Sequence, residues 1–577
     1  MVVTATRTPT RADELVSDTV VIDRAQIEQQ ASRTLPEILA RVAGVQISAN
    51  GGPGTASSVF IRGAEARHTI LLIDGVRYGS ATAGTQAWEN IPVEMIDRIE
   101  VVKGPASALY GSDGVGGVVQ IFTRRGQPGD DAFVPRASAT LGSESYKQIT
   151  GGFTGASGPL TYSLDAQRTI DKAFSATNSR VPFGSFNPDR DPFSQSALNA
   201  SLGYQINPDW KIDSGLLYAE GVSHYDDGPN RDTRSRVRTQ TAYIGASGNL
   251  NSAWKTQLRF AQSRDYTRNI VADIFNLPGL FETTQKEYLW QNDIATPIGI
   301  VVAGLERRTQ EVDSDTRYTV TRRDIDSAFV GLNGNAGNHS WQLNARHDQN
   351  SQFGDSNTWF AGYGYRISPN WRVNASHGTS FVAPSFNQLY FPNFGNPALR
   401  PEEGENTDLA VTWSQDGHSV KLVRFDNKIR GFITSTTIAQ NVPRARIDGW
   451  TLGYDGQFGP WTLRASVDAL DPRNELTGKL LPRRAENQVS LGIDYAVGAW
   501  KFGASALHVG RRFDDTRNTM ELDSYTTVDL YGEYKLSKDW AVQGRITNIG
   551  DVNYETVYGY NQRGRAVYLT LRWQPKS

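Results

Sequence analysis

Six aspartates have the types and spacing to do chemistry. Asp171, Asp189 and Asp191 fall in one long polar stretch, 171–195, and Asp226, Asp227 and Asp232 in the next, 221–235. Asp189 and Asp191 are spaced i, i+2, so an extended backbone points both carboxylates the same way. Carboxylates brought together repel unless a cation joins them, and hard oxygen ligands of this kind suit calcium. The plainer alternative is a solvated acidic loop. A second candidate, Gly111-Ser112-Asp113-Gly114-Val115-Gly116-Gly117, has the glycines of a phosphate cradle. A strand pattern follows it rather than a helix, so the helix N-terminus that would hold an anion is missing. Its glycines serve tight turns and close backbone approach.

Other chemistry is scarce. The chain has no cysteine, which excludes disulfides, thiolate metal sites and cysteine nucleophiles. It has seven histidines, and no serine or acid stands beside them in a motif that suggests a triad, so no enzyme is expected. At the N-terminus, Val2, Val3, Thr4 and Ala5 are strand-forming residues that could pair with the sheet edge of a partner, because backbone hydrogen bonding tolerates loose side-chain identity. No secretory leader is visible: Met1-Val2-Val3-Thr4 lacks a basic segment and an apolar core, so a mature chain, or one trimmed for expression, is expected.

The elements that must position these residues follow two grammars. With 577 residues, the chain is too long for one ordinary globular core. It contains no apolar run of about 18 residues, the length of a membrane-spanning helix. A hydrophobic content of 38% and a mean hydropathy of −0.46 fit a large soluble protein, but also a transmembrane barrel, in which only alternate residues need be apolar. The aromatic content of 10% and the 55 glycines favour the barrel. A formal charge of −2 gives no sign of nucleic-acid binding.

Residues 1–130 read as a mixed α/β domain. Ser32 to Val42 looks like a short helix with an early proline, Pro36, and a stop at Gly44. Short apolar strands follow at Val59-Phe60-Ile61, Ile70 to Ile73, Ile99 to Val102 and Val118 to Ile121. From about residue 132 the pattern changes to strict alternation. Trp461, Leu463, Ala465, Val467 and Ala469 share one side, and Thr462, Arg464, Ser466 and Asp468 the other. Val489, Leu491, Ile493 and Tyr495 alternate in the same way with Ser490, Gly492 and Asp494. Between Arg136 and Trp573 lie 22 candidate strands. Their connections alternate between tight turns (206–209, 367–370, 536–539) and long polar stretches (171–195, 221–235, 265–282, 311–325, 379–404). That alternation marks an outer-membrane barrel, with short periplasmic turns and long outer loops. Trp210, Trp254, Trp341, Trp371, Trp461, Trp500 and Trp540 each follow a short turn, at the height of an interfacial girdle. The expected fold is all-β: a 22-stranded antiparallel transmembrane β-barrel over 131–577, with an α/β plug over 7–130 inside its lumen.

Specific motifs carry a family resemblance. Val2-Val3-Thr4-Ala5 resembles the Ton box of TonB-dependent outer-membrane transporters, as a remnant over 1–6. Phe60-Ile61-Arg62-Gly63, Leu72-Ile73-Asp74-Gly75-Val76, the stretch from Ile96 to Gly111 and Gly116-Gly117-Val118-Val119 resemble that family's plug motifs. Tyr554 to Tyr560, Asn350 to Gly354, Gln388-Leu389-Tyr390 and Asn50 to Gly54 followed by Ser57-Ser58 are most similar to the cobalamin-transporting branch. The resemblance implies TonB-dependent import of cobalamin across the outer membrane of a Gram-negative bacterium. The expected partners are TonB with its inner-membrane energising complex, cobalamin or a similar large ligand, and outer-membrane lipid; a monomer is expected. It places calcium on the outer loops at Asp171, Asp189, Asp191, Asp226 or Asp227, and Asp232. The substrate surface would combine Asn50, Gly51, Gly52 and Ser57 on one plug apex with Ser80, Ala83, Gly84, Thr85 and Gln86 on another, and with Tyr225 and Arg512 on the loops. The alternative ligand is a ferric siderophore or haem. Phe381-Val382-Ala383-Pro384 and Asn396-Pro397-Ala398-Leu399 resemble a pair of haem-receptor motifs, but no histidine lies between them, which lowers haem.

Overall fold

A computed structural model describes residues 2–575, apart from 4–5, 12–13, 31–32, 230, 232, 271–278 and 436–437. Its largest feature is a closed barrel of 22 antiparallel strands, from Val134–Gly142 to Ala566–Trp573. The last strand pairs with the first, Ala137 opposite Trp573, so no edge is left unpaired. Alternation sets the two faces. Ile244, Leu258, Trp290, Leu343, Leu409, Leu452 and Leu569 point outward, while Gln195, Thr239, Ser263, Gln285, Asn406 and Thr570 are buried inside. This inverts the order of a soluble protein, as a wall between lipid and a polar lumen requires. Six of the seven girdle tryptophans open a strand, and Trp341 is the third residue of His339–Asn350.

The strands run further into the polar stretches than the sequence suggests. Trp210–Tyr225 and Thr233–Asn251 leave only 226–232 as a loop, where 221–235 was expected. Arg236 and Arg238 lie on the outward face of this extension, with Glu220 as their ion-pair partner. Above the hydrocarbon zone a strand needs no apolar face, so polarity there does not mark the strand's end.

The plug fills the lumen. Its five-stranded sheet runs in the order Asp18–Ile22, Ile96–Lys103, Gly117–Thr123, Thr69–Ile73, Val76–Tyr78, with one parallel pair, Thr69–Ile73 beside Gly117–Thr123. Helix α1 (Arg24–Gln29) starts in a capping box between Asp23 and Gln26, and α2 (Leu35–Leu39) carries Pro36 in its first turn. Ile27, Leu35, Ile38, Val59, Leu71, Trp88, Ile99 and Val119 form a core that is nearly all the plug's own; the barrel adds only Ala197, Leu217 and Ala219. Polar contacts hold plug to wall. Arg62 bonds Asp408 of the wall at 2.7 Å and is steadied by Asp18 of the plug at 3.0 Å, the Gly44 amide donates to Asp468 at 2.8 Å, and Asn90 donates to the Ala219 carbonyl at 3.1 Å. Water can replace such partners, so the plug can shift without exposing a large apolar face.

Candidate functional site

The site is built where the long-loop end of the barrel closes over two plug apices. The first apex, 50–57, turns tightly: the Asn50 amide donates to the Ala56 carbonyl at 3.1 Å and Thr55 Oγ1 to the Gly52 carbonyl at 2.7 Å. Ser57 is tied through its amide to Glu89. The loop between Asp171 and Phe193 lies directly on this apex. A Cβ added at Gly51, which has φ +88°, would stand 2.5 Å from the Ala176 carbonyl oxygen. Gly51 and Gly52 are therefore roofed by the loop that carries Asp189 and Asp191.

The second apex, 80–86, is clasped by two barrel segments. The Ala81 amide donates to Thr283 Oγ1 at 3.0 Å, and the Phe386 and Asn387 amides donate to the Ala81 and Thr82 carbonyls. The Ala83 amide donates to Ser80 Oγ, the Thr85 carbonyl accepts from the Ser80 amide, and Gln86 Nε2 donates to the Thr69 carbonyl. Gln86 Oε1 is buried without a hydrogen-bond partner among the described residues. Ala83 is exposed at the tip, next to Gly84 with φ +80°.

The six aspartates divide. One oxygen from each of Asp189, Asp191 and Asp226 lies within 4.8 Å of the others. The Ala176 amide donates to Asp191 Oδ2 at 2.8 Å, and Thr177 Oγ1 donates to Asp226 Oδ2. Burial pushes the Asp191 carboxyl up to about 7, with further contributions from Asp226 and Asp189. Asp226 is raised as well, by burial first and then by Asp189, against the hydrogen bond from Thr177. Three carboxylates, two of them held above their usual range by burial first and by acidic neighbours, make a place where a hard dication would fit. The other expected ligands stand apart. Asp171 is not a loop residue: it ends the strand Leu160–Asp171, and its carboxylate takes Arg563 at 2.5 Å and the Ala173 amide at 2.8 Å. Asp227 faces Arg231 at 3.5 Å. Asp232, like Thr4 and Ala5, lies outside the described residues.

Tyr225 is half-buried at the end of its strand, immediately before Asp226. Arg512 departs from the expected loop-surface position. It is 1% exposed, donates to the Glu555 carbonyl at 2.7 Å and lies over the Tyr525 ring. A guanidinium that cannot leave its apolar surroundings cheaply takes carbonyl partners inside. Sequence reasoning missed what docks the roof. Asn178 Nδ2 donates to Glu555 and to Asn561, Asn561 Nδ2 donates to the Ser175 and Thr177 carbonyls, and the Phe193 ring lies against Gly54. Most of these partners are almost 400 positions apart in the chain, and no local pattern announces them. His68 is buried with both ring nitrogens engaged, one by the Glu65 amide and one by Glu402.

At the opposite end of the plug, Val2–Val3 pairs with Thr10–Arg11 as a short antiparallel hairpin. Arg7 anchors the turn inside the lumen through Glu306 at 3.1 Å and the Tyr110 and Phe329 rings.

Comparison with known proteins agrees with this architecture. Residues 123–549 match the family described as TonB dependent receptor-like, beta-barrel, and residues 11–118 match the TonB-dependent Receptor Plug Domain. The vitamin B12 transporter BtuB of Photobacterium profundum is 31% identical over 590 aligned residues, covering all of this chain and 95% of that one. Among solved structures, the ferric enterobactin receptor PfeA of Pseudomonas aeruginosa superposes with a TM-score of 0.83 at 17% identity, over 97% of this chain and 100% of that one. The ferripyoverdine receptor of the same organism gives 0.81 at 15%, over 100% and 89%. Those two likenesses speak for the fold alone. Wall and plug carry one affiliation, and with a relative matched end to end it makes the protein a member of the TonB-dependent receptor family, an outer-membrane transporter.

Proposed function

We propose that the protein imports cobalamin, binding it between the plug apices and the outer loops and releasing it when TonB remodels the plug. The observation that carries the ligand is the end-to-end similarity to a vitamin B12 transporter. The small, exposed tip at Ala83 suits a bulky ligand that approaches backbone. In this reading calcium joins Asp189, Asp191 and Asp226, fixes the loop above Gly51 and Gly52, and orders Tyr225 beside it. Val2 to Ala5 form the TonB contact. The two valines must first leave their hairpin with Thr10–Arg11, because a strand already paired cannot offer the same hydrogen bonds to a partner. An outer membrane has no nucleotide supply of its own, so the work of release comes from the inner membrane through that strand. The polar seam between plug and wall is suited to it: ion pairs such as Arg62–Asp408 can be exchanged for water as the plug moves. The test is equilibrium binding to the purified protein of cobalamin and of a panel of ferric siderophores. Tight binding of cobalamin alone supports the reading; tight binding of a siderophore without cobalamin overturns it.

A further inference from the structure

Two cavities lie one above the other between the plug and one side of the wall. The upper, about 190 Å³, is lined by Gly51 to Thr55 and Phe193 at the long-loop end. The lower, about 470 Å³, reaches Ser419, Lys421 and Asp494 on strands near their short-turn ends. Arg33 and Arg41 line both. They converge on one carboxylate: Asp529 Oδ2 accepts from Arg41 Nη2 at 2.8 Å and from Arg33, while Oδ1 accepts from the Asn548 amide at 2.7 Å. These contacts form the septum between the two spaces.

The septum has more positive charge than its carboxylate can match. Arg545 lines the lower cavity beside it, within the field of Arg33, Arg41 and Asp529. It is 3% exposed, lies over the Tyr531 ring, and has no ion pair among the described residues. Its Nε and Nη2 are buried without a hydrogen-bond partner among the described residues, as are Nε and Nη1 of Arg41. Arg33 and Arg41 thus share one aspartate, with Glu37 also in the field of Arg41; Arg545 stands beside them unpaired, and four donor nitrogens of Arg41 and Arg545 are unspent. Burying an unmatched charge is costly unless something of opposite sign can enter. The wider lining has the same bias. Six basic side chains face three carboxylates in the lower cavity, against three and four in the upper. An anion therefore gains by moving from the upper space towards the lower one.

We propose that this septum is an oxyanion-binding station on the route through the lumen. Arg41 and Arg545 receive a phosphate or carboxylate group of the passing solute, while Arg33 and Asp529 close the path when it is empty. Guanidinium forks suit such groups because two N–H bonds can be made in parallel. The site itself follows from the arginines and the cavities; only its place in transport rests on the function proposed above.

Inorganic phosphate tests the site without knowledge of the solute. The purified full-length protein is melted in sodium phosphate and in sodium chloride of equal ionic strength. Wild type should gain a saturable, phosphate-specific rise in melting temperature. Arg545→Gln should lose that rise, and should melt above wild type in chloride because one of three crowded cations is gone. No phosphate-specific rise in wild type, or an equal rise in the variant, overturns the proposal. Uptake of labelled cobalamin then tests the role. Arg545→Gln should import several-fold more slowly with unchanged surface affinity, and equal uptake rates would remove the station from the route. Were cobalamin the wrong solute, wild type would fail to bind it at all, while the phosphate result would stand.

Discussion

Protons and calcium should compete for the acidic cluster in the outer loops, and the geometry sets by how much. Two unit charges 4.8 Å apart, the limit of the spacing among Asp189, Asp191 and Asp226, repel by about 3.5 kcal/mol at an effective dielectric of 20 and by about 0.9 kcal/mol in bulk water. Asp191 is buried and has two such neighbours besides, which together push its carboxyl up to about 7. Asp226 moves in the same direction. Both groups hold a proton more tightly folded than unfolded. The stability Asp191 contributes is complete below the unfolded value of about 3.9 and is lost as pH rises through about 7, and that of Asp226 is lost in the same direction. A bound dication reverses this, since it favours the ionised carboxylates. Calcium must then displace at least one proton below neutral pH, so affinity should rise about tenfold from pH 5 to pH 6 and level off above about pH 7. Titration calorimetry at four pH values, in two buffers with different heats of protonation, counts the protons directly. Asp191→Asn should melt above wild type in chelator at alkaline pH and should lose most calcium affinity. Calcium affinity that is flat between pH 5 and pH 7, or an Asp191→Asn variant that binds calcium like wild type, would refute the reasoning.

Three other substitutions probe the remaining links. Val3→Pro removes a backbone donor from the N-terminal strand, so TonB-driven uptake should collapse while equilibrium ligand binding persists. Ala83→Glu puts a charge on the exposed tip of the second apex without disturbing its neighbour Gly84, whose φ of +80° would strain any side chain; cobalamin affinity should fall by about tenfold or more, read by equilibrium binding. Arg62→Met leaves Asp408 and Asp18 with one fewer buried partner, and a loss of about 3–5 kcal/mol should make the plug protease-sensitive at lower urea than in wild type while the barrel stays intact.

Much of the fold is legible in the residues because its rules are local. Period-two alternation such as Trp461 to Ala469 and the tryptophans that open strands fix the wall, its faces and its girdle. Pro36 near the start of α2 and the apolar runs at Ile70 and Val118 fix much of the plug. Sequence reasoning misses the strand Asp18–Ile22 and helix α1, although Asp23 and Gln26 have the spacing of a capping box. The site is less legible because its contacts are distant in sequence. Asp189 and Asp191 do join Asp226, but Asp171 looks equal to them in the sequence and is claimed by Arg563, 392 positions away. Arg512 reads as a surface contact and is packed on Tyr525 instead. Nothing near residue 51 in the chain foretells that Ala176 will cover it.

The central claim, energised import of cobalamin, is tested most directly by uptake in cells that lack their own cobalamin transporter. Labelled cobalamin is supplied at low concentration to cells expressing this chain, with and without functional TonB. Accumulation should require both the chain and TonB, while surface binding should require the chain alone. Surface binding with no TonB-dependent accumulation, or accumulation that proceeds equally without TonB, would contradict the account.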